Sequence, residues 1–427
     1  MAEPAPPSLP AHRRWRWLLA GLAVAGCAAA LWLILGAPRQ ADAVAVVQLE
    51  VVDRPRLPPK VDYRRLEARI ERLMQERGMV GLAVGAVEDG QVRFARGYGE
   101  TVAESGAAVT PDTVFRWASV SKGVASALVA RLAADGRLSL DAKLDSMGTT
   151  LTLPADSRGV TIAHVLSHRV GLVRNAWDDR LEAGEDPKLL RAGLGTLAPL
   201  CPPGTCYGYQ NIAFDAASEI VERASGKRYA DAASSMLFGP LGMTQASIGL
   251  EGLQRAKSWA HPHRGNRQPT TVKESYYRVP AAGGVNSSIR DLLRWMQAQM
   301  GEMPAVLPKE TLETLHRPRV ATLPTRRRGA MDRALTGAAY GLGWRSFTYA
   351  GHALVGHRGS VDGYGSLILF DPELKSGIVM LWNSNHSQAA RLQLEFFDLL
   401  YGLPATNWLE LEDAPAPLSD EPVHAGP

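Results

Sequence analysis

Cysteine is scarce, with three residues in 427. That excludes a disulfide-built scaffold and a multi-cysteine zinc domain. An excess of charge of one sign is also missing. Lys and Arg total 47 against 43 Asp and Glu, a net +4, whereas a dedicated nucleic-acid binder carries a strong basic stripe. Arg326-Arg327-Arg328 is therefore read as a solvated loop. No H-E-x-x-H is present, and His261-Pro262-His263 reads as a loop rather than a zinc site. No G-x-S-x-G is present, which leaves an α/β-hydrolase unsupported. No internal repeat is found. What is there, 46% apolar and 21% charged residues, suffices for a sizeable core in one large domain or two medium ones.

One apolar run stands apart. Trp17 to Ala37 is uncharged and follows His12, Arg13, Arg14 and Arg16. About 20 residues at ~1.5 Å each cross a bilayer core. The arginines before the run put the N-terminus in the cytoplasm and the rest outside. The reading preferred is a single-pass signal anchor in the inner membrane, with the catalytic part in the periplasm or outside. A cleaved signal peptide is the alternative, with Ala41-Asp42-Ala43 as cleavage site. Val24-Ala25-Gly26-Cys27 resembles a lipobox, but the apolar stretch after Cys27 speaks against it.

The rest divides into a cytoplasmic tail (1–16), the anchor (17–37), a Pro-stiffened linker (38–60), one catalytic unit (61–405) and a flexible Pro-rich, acidic tail (406–427). Asp62 caps a helix with Leu66, Ile70 and Leu73 at helical spacing. Val80 to Val87 and Gln91 to Tyr98 flank Asp89-Gly90 and form a hairpin. A mostly helical stretch runs from Val114 to about Gly242. Two more strands are expected at Ser366–Phe370 and Gly377–Trp382, and a helix at about Ser387–Leu400. Strands at both ends with helices between them predict an α+β fold. One sheet is built from distant segments, and a helical region is inserted in it.

Three short segments carry chemistry. In Ser119-Val120-Ser121-Lys122 a helix opening at Ser119 puts Lys122 one turn on, on the same face. A serine hydroxyl needs an adjacent base, and a desolvated lysine can be one. Tyr209 and Asn211 bracket one residue before a helix-like run. A phenol there could shuttle a proton and an amide could bond a carbonyl. His357-Arg358-Gly359-Ser360 precedes a strand, and its glycine would let substrate lie close to a strand edge. Taken singly, each has a plain reading: a Ser cap with a surface Lys, a packed aromatic with an Asn cap, and a strand-end loop.

In this order and at these separations, the three resemble the serine β-lactamase and penicillin-binding superfamily, closest to its class C β-lactamase, D-peptidase and esterase branch. Thr161 to His168 with Gly171-Leu172, Pro280 to Ser288, and Tyr340-Gly341-Leu342-Gly343-Trp344 extend the resemblance over about Tyr63 to Leu403. It implies an antiparallel sheet with helices and no metal or organic cofactor. It implies Ser119 as the acylated nucleophile, Lys122 and Tyr209 as proton-transfer partners, and Asn211 as the residue orienting a substrate amide. The Ser119 and Ser360 N–H groups would form the oxyanion hole. His357, Arg358 and Gly359 stand where class C enzymes have Lys-Thr-Gly. Arg358 replaces a small hydroxyl residue that meets a substrate carboxylate. It can still pair with a carboxylate but reshapes the pocket, which puts efficient β-lactam hydrolysis in doubt. The partner expected is a small-molecule or peptide substrate, acted on by a monomer. The competing reading is a catalytically inactive binding or sensor protein on the same fold.

Cys201 and Cys206 flank Pro-Pro-Gly-Thr just before Tyr209. Outside the cytoplasm they are expected to be bridged, the alternative being two buried thiols.

Overall fold

The computed structural model describes residues 58–157, 159–322 and 329–411. The anchor segment 17–37 with Cys27, most of the linker, Arg326-Arg327-Arg328 and the tail beyond 411 lie outside the described residues. Among the described residues, no helix is long and apolar enough to cross a membrane.

The sheet has eight strands: β1 (Gly81–Glu88), β2 (Gln91–Gly99), β3 (Val320–Ala321), β4 (Thr336–Tyr340), β5 (Arg345–Tyr349), β6 (His352–Val361), β7 (Tyr364–Asp371) and β8 (Ser376–Trp382). Their spatial order is β2-β1-β8-β7-β6-β5-β4-β3, and neighbours pair antiparallel. Asp89 (φ +49°) and Gly90 (φ +73°) both take left-handed conformations between β1 and β2, as a type I′ hairpin turn requires. The N-terminal hairpin docks on the last strand, Leu82 opposite Trp382. One sheet is thus assembled from opposite ends of the chain.

Every residue of β1, β7 and β8 is buried, because both faces are covered. Leu82, Val84 and Ala86 share a cluster with Leu367, Leu369, Ile378 and Met380. That cluster also takes in α1 (Tyr63–Met74) and the C-terminal α7 (Leu392–Tyr401). Ala83, Val87, Ile368, Phe370, Val379 and Leu381 face the helical region instead. That region contains α2 (Ser121–Ala134), α3 (Asp178–Glu182), α4 (Asn211–Phe214), α5 (Pro280–Gly283) and α6 (Ile289–Gln299). The period of two in each strand thus separates two cores.

Helix α2 is its centre. Eleven of its 14 residues are buried, so it is apolar all round and carries anything on it into the interior. Asp62 caps α1 through the Arg64 and Arg65 N–H groups.

Three expectations need correction. His357 to Ser360 precede β7 as expected, but the plain strand-end-loop reading fails, since they lie inside β6, which runs from His352 to Val361. Gly356, Arg358 and Gly359 interrupt the apolar alternation that would have marked it. Ser119 sits in a 3-10 turn, Ala118–Val120, that runs on into α2, rather than in the helix itself. The body also extends past residue 405. Leu409 and Leu411 are buried, and the Trp408 indole N–H donates to Asp398 Oδ2 at 2.8 Å. Alternate apolar residues after Asn407 therefore still find core to cover.

Candidate active site

The nucleophile turn is built by crowding. Phe115–Arg116 pairs with Val285–Ser287, and the Trp117 N–H continues that pairing to Val285 O at 2.9 Å. Ala118 then turns left-handed (φ +46°), a strained conformation for a residue with a β-carbon. Strand β6 lies against this turn. A β-carbon built on Gly359 would fall 2.3 Å from Trp117 O and 2.9 Å from the Ser119 nitrogen. Only glycine allows that approach. It brings Ser119 and Ser360 to one cleft, shared with Asp178, Tyr209, Asn211 and Ala282.

Lys122 is fully buried. Its Nζ lies 3.3 Å from Ser119 Oγ, 2.8 Å from Asn211 Oδ1 and 2.9 Å from Ala282 O. The amide of Asn211 is oriented by its other end, where Nδ2 donates to Asp178 Oδ2 at 2.7 Å. Two carbonyl oxygens therefore face Nζ. A neutral amine has two N–H donors for them and one lone pair left for the Ser119 hydroxyl. Burial, chiefly, pulls the Lys122 pKa down to about 7, with Asp178 and Asp215 opposing and Arg345 assisting. The Asn211 carbonyl is thus committed to Lys122, and what it can still offer a ligand is its second N–H.

Tyr209 is buried and lines the same cleft as Ser119. The Lys122 Nζ stands 4.8 Å from its ring centre. Burial pushes the phenol up to about 12, against the pull of Ser119 and Arg345. At neutral pH it is a proton donor. Tyr209 is delivered by a segment pinned along its length. Leu200 N–H donates to Gly171 O, Gly204 N–H to Arg169 O, Gly208 N–H to His168 O, and Asn175 N–H to Tyr209 O, at 2.7–2.9 Å. A disulfide joins Cys201 and Cys206 in this segment, with Cα atoms 6.3 Å apart.

A cavity of about 420 Å³ opens beside Ser119 and Tyr209. His357 and the adjacent Arg358 line it from β6. Arg358 stands opposite Leu367, on the face of the sheet away from His357. Its guanidinium lies 3.5 Å from Asp332 and from Met331 Sδ. Arg174 and Arg345 line the same cavity, and Arg345 donates to Tyr207 OH at 3.0 Å. Sequence reasoning missed Arg345, Arg174 and Asp178. Arg345 directly follows Trp344 of the Tyr-Gly-Leu-Gly-Trp motif, which was a usable signal. That motif packs on α2: a β-carbon on Gly343 (φ +74°) would strike Lys122 O at 2.6 Å. Nothing local marks Asp178. Among the described residues, no group of three or more His, Cys, Asp or Glu is placed to hold a metal ion.

Residues 66–402 match the model of the family described as Beta-lactamase. The chain belongs to the Beta-lactamase family. It is thus a member of the serine β-lactamase and penicillin-binding superfamily, with that family's α+β fold and a homology to hydrolases. An octameric penicillin-binding protein homologue from Pyrococcus abyssi superposes with a TM-score of 0.72 at 25% identity, covering 80% of this chain and 78% of that one. The unguisins hydrolase ungD' of Aspergillus campestris is 28% identical over 72% of this Beta-lactamase family chain. The esterase EstB of Burkholderia gladioli is 31% identical over 53% of it. The chain spans 59% and 61% of the length of these two relatives.

Proposed function

We propose that the chain is a serine hydrolase that works through an acyl-enzyme on an ester or amide carbonyl. One observation carries this reading: a buried, near-neutral Lys122 whose only open valence points at Ser119 Oγ, 3.3 Å away. Ser119 Oγ attacks the carbonyl carbon while Lys122 Nζ takes the hydroxyl proton. The oxyanion forms in front of the Ser119 and Ser360 N–H groups. Tyr209 O–H protonates the leaving oxygen or nitrogen as the acyl bond breaks, and it recovers a proton from Lys122. Water then attacks the acyl-Ser119 ester, the same base accepts its proton, and the acid product leaves. A base whose pKa is near 7 suits this work at neutral pH.

Esters and short D-peptides fit better than β-lactams. The second place of the third motif holds Arg358 beside Asp332 rather than a short hydroxyl facing the cleft. EstB carries esterase in its name and supports the same choice. We further propose that Trp17 to Ala37 tethers the enzyme outside the cytoplasm, a reading the Cys201–Cys206 bridge supports.

The test is a hydrolysis panel of short-chain esters, D-amino-acid peptides and β-lactams, with Ser119→Ala as control. We expect ester or peptide turnover that falls at least ~10³-fold in the variant. Labelling by an activated-serine probe should add mass to the peptide holding Ser119. A variant with near-full activity would sink the mechanism. A reporter fused after Pro427 that works only in the cytoplasm would sink the topology.

A further inference from the structure

His168 lies at φ +56° with no exposed surface, and every polar atom it owns on that side is spoken for. Its carbonyl accepts the Gly208 N–H at 2.9 Å. Its ring Nδ1 accepts the Gln210 N–H at 3.1 Å. Its Nε2 lies 3.3 Å from Tyr340 OH, which lies 2.9 Å from His357 Nε2. The His357 Nδ1 is 2.7 Å from Arg358 O. The His168 ring also packs 4.2 Å from the Tyr209 ring and 5.1 Å from Phe214.

The two ends of this chain fix every proton in it. A backbone N–H can only donate, so His168 Nδ1 is bare and Nε2 carries the hydrogen. A backbone carbonyl can only accept, so His357 Nδ1 carries the hydrogen, and in the neutral ring Nε2 is bare. Tyr340 then accepts from His168 and donates to His357. A second proton on His168 would face the Gln210 N–H, donor to donor. One on His357 would leave the Tyr340 hydroxyl proton without an acceptor. The basic groups facing the two rings are Lys122 and Arg345 for both and Arg358 for His357. Burial, chiefly, and these basic groups hold both imidazoles well below their ordinary pKa.

We propose that His168 and Tyr340 are positioning residues of the Ser119 site, and that the chain from Gln210 through His168 and Tyr340 locks His357 as a neutral Nδ1–H imidazole. The chain ties the Tyr209–Asn211 segment of the helical region to strand β6, which carries Gly359 and Ser360. His357, at the place of the superfamily's lysine, then supplies neither a positive charge nor a proton to substrate. It registers the oxyanion strand against Tyr209. The positive charge on that wall of the cavity comes from Arg345. This proposal rests on the serine-hydrolase reading for its effect on rate, but its structural half does not.

Nitrogen-15 NMR of the full chain labelled at histidine reads the tautomers directly, with assignments from His168→Gln and His357→Gln. Expected are a neutral His168 protonated on Nε2 and a neutral His357 protonated on Nδ1, both unchanged from pH 6 to 8. An imidazolium at either position at pH 7, or the reverse tautomer, would overturn the lock. Tyr340→Phe keeps the ring packing and removes the link. In a folded variant the rate of Ser119 labelling by a fluorophosphonate should fall ~10–100-fold, as a site loosened by about 1 Å does. Labelling within twofold of the parent would overturn the positioning role. If the variant does not fold, the tautomers of the parent chain still decide the lock. If Ser119 is never labelled in the parent, the hydrolase reading falls and the NMR result stands on its own.

Discussion

Asn211 stands between Lys122 and Asp178, its Oδ1 on the lysine Nζ at 2.8 Å and its Nδ2 on the carboxylate at 2.7 Å. One amide thereby relays a carboxylate's field to the base of the reaction without an ion-pair contact. A direct Asp178–Lys122 pair would hold the lysine protonated and silent.

The acid limb of the reaction follows from that arrangement. Lys122 must lose its proton to act, so kcat/KM should rise with pH and level off above about 7, falling tenfold per unit below. Asp178 raises the Lys122 pKa, so Asp178→Asn should move the midpoint to lower pH. A pH-rate profile on any turned-over ester checks both. A midpoint that moves up would refute the field argument.

Gly359→Ala should damage rate more than fold. The added carbon meets Trp117 O and Ser366 Oγ at 2.3 Å and the Ser119 nitrogen at 2.9 Å, so β6 must back away from Ser119. We expect acylation slower by about 100-fold and a stability loss of ~1–3 kcal/mol, as overpacking brings. Ser119 labelling kinetics beside a thermal melt separates the two.

Arg191 is the buried cation behind the site. It pairs with Asp215 at 2.6 Å and Glu219 at 2.8 Å, and Asp215 Oδ1 accepts the Ala281 N–H at 2.9 Å. Ala281 precedes the carbonyl that meets Lys122. Arg191→Met strands a buried carboxylate, at about 3–5 kcal/mol. Burial already raises Asp215 to about 7, and losing Arg191 raises it further. The unfolded chain is ionised at these pH values, so the variant's deficit should grow as pH rises above 7. Denaturant melts at pH 6 and 8.5 test the sign.

The Cys201–Cys206 bridge closes a short loop, so Cys201→Ser with Cys206→Ser should lower stability by at most ~2 kcal/mol. Its larger effect should be on turnover, because the bridged segment leads to Tyr209. Mass spectrometry should find the peptide 2 Da lighter before reduction, as any disulfide requires. Full alkylation of both thiols without reductant would refute the bond.

The sequence by itself determined the parts that depend on near neighbours. The Asp89-Gly90 turn, the Asp62 cap and the strands expected at 366–370 and 377–382 all follow from a few adjacent residues. So does the one-turn spacing that aims Lys122 at Ser119 from one helix. Tertiary structure alone decided the partners from elsewhere in the chain. Ala282 O reaches Lys122 across 160 positions, and Tyr340 joins His168 to His357 across 172 and 17. The same holds for Arg345 as a cation lining the cavity and for the side of β6 on which Arg358 falls. A hydrogen bond or a desolvated charge depends on distance in space, and local periodicity carries no record of which distant segment fills the other side.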